Sequence, residues 1–194
     1  MGWHEGRIGD DGRAPFTFTR TAVRGGRVEL GYALRRPSGD TVVLTEVVEL
    51  PFDLPHSAAV DAAVEVLHLV AGVSYYKCVA PAPLEVDRLS DAQERLVRAL
   101  YDEGLREFAY RNGFSVPLPV ELVVGERVPP GAAPAAKPGA GALVPIGGGK
   151  DSALVAALVP EGELFAVNPV GAHEHLAAAL GRTLIGARRT LDPQ

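Results

Sequence analysis

Three short stretches near the start of the chain alternate between apolar and polar residues. They are Phe16 to Thr19, Val28 to Leu34 and Thr41 to Leu50, and their two-residue period is typical of half-buried strands. Turn sequences rich in glycine and charged residues separate them at 24–27 and 37–40. The pattern therefore predicts an antiparallel meander of three strands.

Two longer segments that follow have the spacing of amphipathic helices. The first runs from Ser57 to Gly72, and glycine suits its C-terminal end. The second runs from Ser90, which opens a capping box, to Arg111. Arg111 can either clamp a carboxylate or phosphate, or satisfy the last carbonyls of its own helix. With a short apolar strand at 116–124, these helices complete a predicted N-terminal α+β module of residues 14–124.

Strand-like and helix-like runs alternate in the last part of the chain. The order is a strand ending at Ile146, a helix over 153–158, a strand over 163–170, a helix over 171–181 and a strand from Thr183. Such β-α-β-α-β alternation predicts a parallel sheet with crossover helices, so the fold class is α/β. Residues 125–141 are mostly Pro, Ala and Gly, and they are predicted to be a linker or exposed loop before a second module at 142–194.

Composition narrows the classes of function. The chain has 194 residues, 47% of them hydrophobic, which is enough for a core in one or two domains. Its net charge of −5 implies no general attraction to nucleic acid or membranes. The single cysteine, Cys78, excludes an internal disulfide, fits the cytoplasm and is expected to be a small buried residue. No apolar run is expected to span a bilayer, and no signal peptide pattern is present at the start.

The strongest chemical motif is Gly147-Gly148-Gly149-Lys150-Asp151-Ser152, between the first strand and helix of the second module. Glycines leave no Cβ between backbone N–H groups and a ligand, and the first N–H groups of a helix can bind an anion. Lys150 adds a cation and Ser152 a hydroxyl, whereas Asp151 suits the site through a bridging divalent metal or as a helix cap. The spacing is neither that of a P-loop nor that of a dinucleotide turn. The alternative is a glycine-rich turn that binds nothing.

Two further groups of polar residues have structural explanations. Tyr75-Tyr76-Lys77 can form a polar wall for a sugar or phosphate, but one buried tyrosine and a surface lysine explain it as well. His173-Glu174-His175 contains metal-ligating side chains, yet residues two apart on a helix point away from each other. A metal site is not expected there.

The glycine motif resembles the S-G-G-x-D-S signature of the PP-loop ATP pyrophosphatases, which split ATP between its α and β phosphates and often adenylate a substrate. Residues 148–152 match this signature, and Gly147 stands where the first serine would be, so one hydroxyl donor is missing. The resemblance implies that the second module is the first part of a PP-loop ATP-binding domain. Because two and a half βα units bury one sheet face poorly, this domain is expected to be truncated, with the rest beyond Gln194.

Four stretches together resemble the UDP-N-acetylmuramoyl-L-alanyl-L-glutamate epimerases of bacterial cell-wall synthesis. They are 68–77, 104–113, 143–152 and 188–194. The resemblance implies an ATP- and Mg2+-dependent inversion of the terminal L-Glu of UDP-MurNAc-L-Ala-L-Glu to D-Glu. Forming an acyl-adenylate would remove the negative charge of the carboxylate, so that a side-chain base could take the neighbouring Cα proton.

The same resemblance implies the site residues. Gly147 to Ser152 would hold the ATP phosphates, with Asp151 at the Mg2+ and Asn168 beside the adenosine. The candidates for the UDP-sugar or the glutamate carboxylates are Tyr75, Lys77, Arg111 and Arg188. No residue is identified as the α-proton base. The expected ligands are ATP, Mg2+ and the UDP-MurNAc-dipeptide, with no nucleic acid and no membrane.

Two other classes of function stay open. One is a PP-loop ligase or RNA-modifying enzyme that adenylates a different acceptor, although a net acidic chain with one cysteine argues against RNA. The other is a fragment that binds nucleotide, or nothing, and has no catalytic activity of its own.

Overall fold

The computed structural model describes residues 14–36, 38–129 and 141–193, which form a mixed α/β fold around one sheet. The N-terminal part contains β1 (Phe16–Arg24), β2 (Arg27–Arg35), β3 (Thr41–Glu49), α1 (Ala58–Ala71), α2 (Val73–Tyr76), β4 (Pro83–Ser90), α3 (Asp91–Arg98), a π-helix (Ala99–Glu103), α4 (Arg106–Arg111) and β5 (Glu121–Val128). The parallel part contains β6 (Leu143–Pro145), α5 (Lys150–Leu158), β7 (Glu163–Val167), α6 (Gly171–Ala179) and β8 (Leu184–Thr190).

The sheet has eight strands in the order β5-β4-β1-β2-β3-β8-β7-β6. Strands β1, β2 and β3 pair antiparallel, which confirms the predicted meander, and β4 and β5 add to it by parallel pairing. Strands β6, β7 and β8 are parallel, which confirms the predicted alternation. Antiparallel pairing of β3 with β8 joins the two parts, with Val48 opposite Arg189. The predicted division into two domains stays a prediction, and both parts contribute strands to this sheet.

Two predictions about the N-terminal part are wrong in detail, and one strand is missing from the predictions. The helix predicted from Ser90 to Arg111 is broken by the π-helix and by Gly104, where an added Cβ would lie 2.7 Å from the Leu100 carbonyl oxygen. The strand predicted at 116–124 begins only at Glu121 and continues to Val128, into the predicted linker. Strand β4 was not predicted at all. Residues 130–140 of the predicted linker lie outside the described residues.

Aromatic side chains form the core of the N-terminal part, between the sheet and the helices α1, α2 and α3. The ring of Phe16 lies 5.4 Å from that of Phe18 and 5.8 Å from that of Tyr76. Buried tyrosines need partners for their hydroxyl groups. The Tyr32 hydroxyl donates to the His68 carbonyl (3.2 Å) and the Tyr101 hydroxyl to the Leu69 carbonyl (3.0 Å). These bonds connect the C-terminal end of α1 to β2 and to the π-helix.

A second, smaller core fills the space between the parallel strands and the helices α5 and α6. Its buried residues are Val144, Ile146, Ala156, Leu164, Ala166 and Ala177. Because side chains alternate along a strand, Phe165 and Val167 of β7 face the other side of the sheet, on which α1 lies. Helices α5 and α6 therefore cover one face of the parallel strands and α1 borders the opposite face.

One helical stretch, Ala58–Tyr76, is long and apolar enough to cross a membrane by length and composition, with a mean hydropathy of 1.4. The prediction that no run would reach this length was therefore wrong. In the structure the stretch packs on β1 and β2 and contributes Val64, Leu69 and Tyr76 to the N-terminal core. Only 33% of it is buried, so much of its apolar surface faces outward.

Candidate functional site

The glycine loop, residues 147–149, connects β6 to α5 at the carboxyl end of the parallel strands. All three glycines are exposed, and Gly148 has a φ of +77°, a left-handed conformation that favours glycine. An added Cβ at Gly147 or Gly149 would meet no described atom within 4 Å, so the outer side of the loop is open. Gly149 precedes α5 in an extended conformation, and the first N–H groups of α5 are directed toward this open side.

Ser152 holds the glycine loop in shape from within. Its hydroxyl donates to the Gly149 carbonyl (2.9 Å) and accepts from the Gly147 N–H (3.2 Å). The hydroxyl hydrogen that was predicted to reach a phosphate is therefore engaged in the loop itself. Lys150 and Asp151 are exposed in the first turn of α5, at the edge of the open loop.

The start of α6 lies against the glycine loop and brings His173 to it. A Cβ built on Gly148 would lie 3.3 Å from Ala172 Cβ and 3.8 Å from His173 Nε2. The His173 Nδ1 lies 3.0 Å from the Val170 nitrogen and 3.3 Å from the Val170 carbonyl oxygen, so the ring is held at the start of α6. From the sequence, His173 was evaluated only as a possible metal ligand, and its position beside the glycine loop was not predicted. No cluster of three or more His, Cys, Asp or Glu able to hold a metal occurs in the described ranges.

Asn168 follows β7 directly, at the same edge of the sheet as the glycine loop. It has a φ of +50°, and its side-chain amide donates to the Arg189 carbonyl (2.9 Å) and accepts from the Arg189 N–H (2.7 Å). Its own N–H donates to the Ala187 carbonyl at 2.7 Å. In the structure Asn168 thus braces β7 against β8, and its predicted contact with adenosine stays a prediction.

A buried ion pair lies where β8 meets β3. Glu46 is fully buried, and Arg189 donates to it twice, through Nε (2.5 Å) and Nη2 (3.0 Å). Arg189 Nη2 also donates to the Ser74 hydroxyl at 2.8 Å. The Glu46 carboxylate raises the pKa of Arg189 above its usual range, so this guanidinium stays charged.

The sequence led us to predict Arg188 as a substrate-binding residue and to overlook Arg189, which is less exposed. Arg188 is exposed opposite Glu49, whereas Arg189 points to the α1 side of the sheet with Glu46. The sequence does indicate the inward orientation of Arg189, because Ala187 and Arg189 are two apart on a strand and share a face. The sequence near Arg189 does not indicate that β8 pairs with β3, the strand that supplies Glu46.

The three other predicted substrate residues lie apart from one another. Tyr75 is buried, its hydroxyl accepts from the Asp192 N–H at 2.9 Å, and burial raises its pKa. Its neighbour Tyr76 is buried too, so two tyrosines rather than one enter the core. Lys77 is exposed after α2, and Cys78, predicted to be buried, is also exposed.

Arg111 does not satisfy the last carbonyls of its own helix, and its predicted contact with a carboxylate or phosphate stays a prediction. It is exposed on α4 and pairs with Glu107 at 2.8 Å. The last turn of α4 is instead closed by Asn112, whose side-chain amide donates to the Phe108 carbonyl at 2.8 Å. Arg111 therefore belongs to the surface of the N-terminal part, while the glycine loop, Asn168 and His173 gather at the carboxyl edge of the parallel strands.

Comparison with known proteins identifies relatives along nearly the whole chain. The epimerase "UDP-N-acetyl-alpha-D-muramoyl-L-alanyl-L-glutamate epimerase" of a Micromonospora species is 37% identical over 196 residues, which is 92% of this chain and 42% of that protein. Proteins of the same name from Salinispora tropica (87% of this chain, 39% of that protein) and Xanthomonas oryzae pv. oryzae (92% and 42%) are also 37% identical. The chain thus spans about two fifths of the length of these relatives.

No solved structure matches the chain at a significant level. A family model described as "MurL N-terminal domain" matches residues 11–194, which includes both cores and the glycine loop. The chain belongs to the MurL N-terminal domain family.

Proposed function

We propose that this chain is the ATP-binding part of an epimerase that inverts the terminal L-Glu of UDP-MurNAc-L-Ala-L-Glu to D-Glu for peptidoglycan synthesis. The relatives that share its sequence carry that epimerase name, and the chain covers about two fifths of each of them. The observation that carries the ATP part of the proposal is the open glycine loop at the start of α5, next to Lys150. We place the reaction in the cytoplasm, where ATP is available.

The loop residues fit a bound polyphosphate. The N–H groups at the start of α5 and the helix dipole favour negative charge in front of the glycine loop. Lys150 can neutralise a phosphate, and the ring of His173 lies against Gly148 on its α6 side. The side of Gly148 toward α6 is closed by Ala172, so the phosphates enter from the open side at Gly147 and Gly149.

Asp151 is the residue that fits Mg2+. Mg2+ at phosphate sites commonly takes only one or two protein carboxylates and receives its other ligands from phosphates and water. A single exposed carboxylate beside the glycine loop meets that requirement. Asp151 and the phosphates would then hold the metal together, and neither would suffice alone.

The chemistry that ATP supplies is adenylation of the substrate carboxylate. A free carboxylate opposes removal of the neighbouring Cα proton because the product would be doubly anionic, whereas an acyl-adenylate accepts the developing charge. The part of this chain would be to bind and orient the phosphates. Arg188, near the end of β8 at the same edge, would meet an anionic substrate group. We assign no residue of this chain as the α-proton base.

The test uses a chimera in which this chain replaces the matched region of the Micromonospora relative. The chimera is incubated with UDP-MurNAc-L-Ala-L-Glu, ATP and Mg2+, and both AMP release and the chirality of the glutamate are followed. We expect AMP and D-Glu together. Lys150→Ala and Asp151→Asn should lower the rate of both about a hundredfold, since the first removes a cation that stabilises the phosphates and the second removes the carboxylate that would hold Mg2+. The matched control is Glu161→Gln, an exposed carboxylate at the opposite edge of the sheet, which should leave the rate unchanged.

The other outcomes would overturn specific parts of the proposal. AMP release without inversion would show that the substrate is another carboxylate or an RNA. Unchanged turnover in both Lys150→Ala and Asp151→Asn would show that the glycine loop is not part of the ATP site. A calorimetric titration of the chain alone with Mg-ATP provides a further check, and Lys150→Ala should weaken binding about tenfold.

A further inference from the structure

An apolar groove runs along α1 on the side of the sheet opposite α5 and α6. Its volume is about 580 Å3, and it lies between α1 and the strands β3, β8 and β7. Helix α1 contributes Val60, Leu67 and Val70, and β7 contributes Phe165 and Val167. The ion pair of Glu46 and Arg189 also lines the groove. We call this feature the α1 groove.

The groove adjoins a face of the parallel strands that no helix of the described residues covers. Parallel strands are normally covered on both faces, because their side chains are apolar on both. Here α5 and α6 cover the face of Leu164, whereas on the other face Val167 is 48% exposed and Leu143 is 58% exposed. The missing cover must lie over β6 and β7, which is the open side of the α1 groove.

Helix α1 forms the other wall and is itself apolar on its outer side. Val66 is 39% exposed and Val70 is 42% exposed, so neither is accounted for by packing within the described residues. The two charged residues of α1, Asp61 and Glu65, do not line the groove, and Glu65 accepts from Gln93 Nε2 at 2.9 Å. A partner for this wall therefore needs an apolar face.

We infer that the α1 groove is the docking surface for an amphipathic helix from the part of full-length family members that lies outside the region matched by this chain. These relatives are more than twice as long as the match, and the family is described as an N-terminal domain. A helix from the same polypeptide is present at high effective concentration, and it can fill a groove with side chains spaced at i, i+3, i+4 and i+7. It would supply the second layer that the parallel strands lack.

A membrane is the competing occupant, because the stretch Ala58–Tyr76, which contains α1 and α2, passes the length and hydropathy criteria for a span. Two features disfavour it. Anionic lipid would be repelled by Asp61, Glu65 and the net charge of −5, and a flat bilayer surface does not reach into a groove between a helix and a sheet. The experiment below includes this alternative.

The test measures how fast introduced cysteines react with a maleimide, in the chain alone and in the chimera defined above. Both carry Cys78→Ser, which removes the single native thiol. Val167→Cys and Val70→Cys report on the groove, and Val43→Cys is the matched control, since Val43 is 63% exposed on the opposite face of β3. We expect labelling in the chimera to be at least about tenfold slower at 167 and 70 and unchanged at 43. Equal rates at all positions would overturn the inference.

Two additional measurements keep the inference testable if the chimera does not fold or if lipid is the partner. In the full-length Micromonospora relative, amide exchange at the positions aligned with β7 and α1 should be slower than in its matched region alone; equal exchange would contradict docking. The chain alone should not float with vesicles of phosphatidylcholine and phosphatidylglycerol, and flotation that Val70→Glu abolishes would assign the groove to a membrane. None of these readouts depends on ATP turnover, so a failure here is distinct from a failure of the proposed epimerase.

Discussion

The two parts of this molecule share one sheet, but different kinds of side chain form their cores. The core of the N-terminal part contains Phe16, Phe18, Tyr32, Tyr76 and Tyr101, with ring centroids 5.0 to 6.4 Å apart in the pairs that touch. Three of the six buried residues in the core of the parallel part are alanines, and none is aromatic. The N-terminal part therefore buries far more apolar surface per element.

The difference separates the main source of stability from the proposed phosphate site. The glycine loop and the start of α6 meet at one edge of the parallel part, which has the smaller core. Because that core contributes less stability, we expect the parallel part to depend on its junction with β3. The proposed phosphate site thus lies in the less stable part of the molecule.

The largest effect we expect is in the aromatic core. Phe16→Ala removes a fully buried ring that contacts Phe18, Tyr32 and Tyr76, and it should lower the free energy of unfolding by about 3–5 kcal/mol. Urea denaturation followed by circular dichroism measures this. Phe52→Ala, at a ring that is 50% exposed, is the matched control and should change it by less than about 0.5 kcal/mol. Equal losses would mean that the aromatic cluster does not dominate stability.

The next effect is at the junction of the two parts. Glu46→Gln leaves the Arg189 guanidinium beside a neutral amide, which should cost about 3 kcal/mol and speed amide exchange in β7 and β8 more than in β1 and β2. Glu49→Gln, whose carboxylate pairs with Arg27 at the surface, should change stability by less than about 1 kcal/mol. Replacing both Glu46 and Arg189 with methionine should restore most of the loss. Uniform acceleration of exchange across the sheet would show that the parts do not separate here.

A smaller effect is expected in the glycine loop. Ser152→Ala removes two hydrogen bonds that shape the loop and should cost about 1 kcal/mol of stability. Faster amide exchange at Gly147, together with weaker Mg-ATP binding, would show that the serine acts by shaping the loop. Ser38→Ala, which loses one exposed bond to Asp40, is the control. Unchanged amide exchange at Gly147 with weaker Mg-ATP binding would instead indicate that Ser152 contacts the phosphates directly, as the sequence predicts.

The smallest effect is a gradual pH dependence in the N-terminal part. Burial lowers the pKa of His68 below its ordinary value of 6.5, and its hydrogen bond to the Gly31 carbonyl opposes this only in part. The unfolded chain then binds a proton that the folded chain does not, so stability is complete above pH 6.5 and declines as the pH falls through the folded pKa. The thermal midpoint should drop on acidification, and less so in His68→Gln. His56→Gln, at an exposed position, should keep the slope of the native chain.

Local patterns predicted the meander, α1, the Ser90 capping box and the parallel alternation, because each depends on neighbours within a few residues. They missed β4, although Leu84 and Val86 alternate with Glu85 and Asp87, because Pro81 and Pro83 argue against a strand. They predicted the glycine loop but gave Ser152 and Asn168 outward roles, whereas both side chains bond to nearby backbone. The pairing of Glu46 with Arg189 joins residues 143 positions apart, and no local pattern can reveal it.

The pairing of β3 with β8 also sets an order of events during synthesis. All five strands of the N-terminal part are complete once Val128 has emerged, whereas β8 ends at Thr190. At translation rates of about 5–20 residues per second, the edge of β3 stays unpaired for several seconds until β8 has been synthesised. An unpaired strand edge is a template for association with other nascent chains. Pairing with β8 therefore removes this edge, and β3 is exposed to misassembly on the ribosome until that pairing forms.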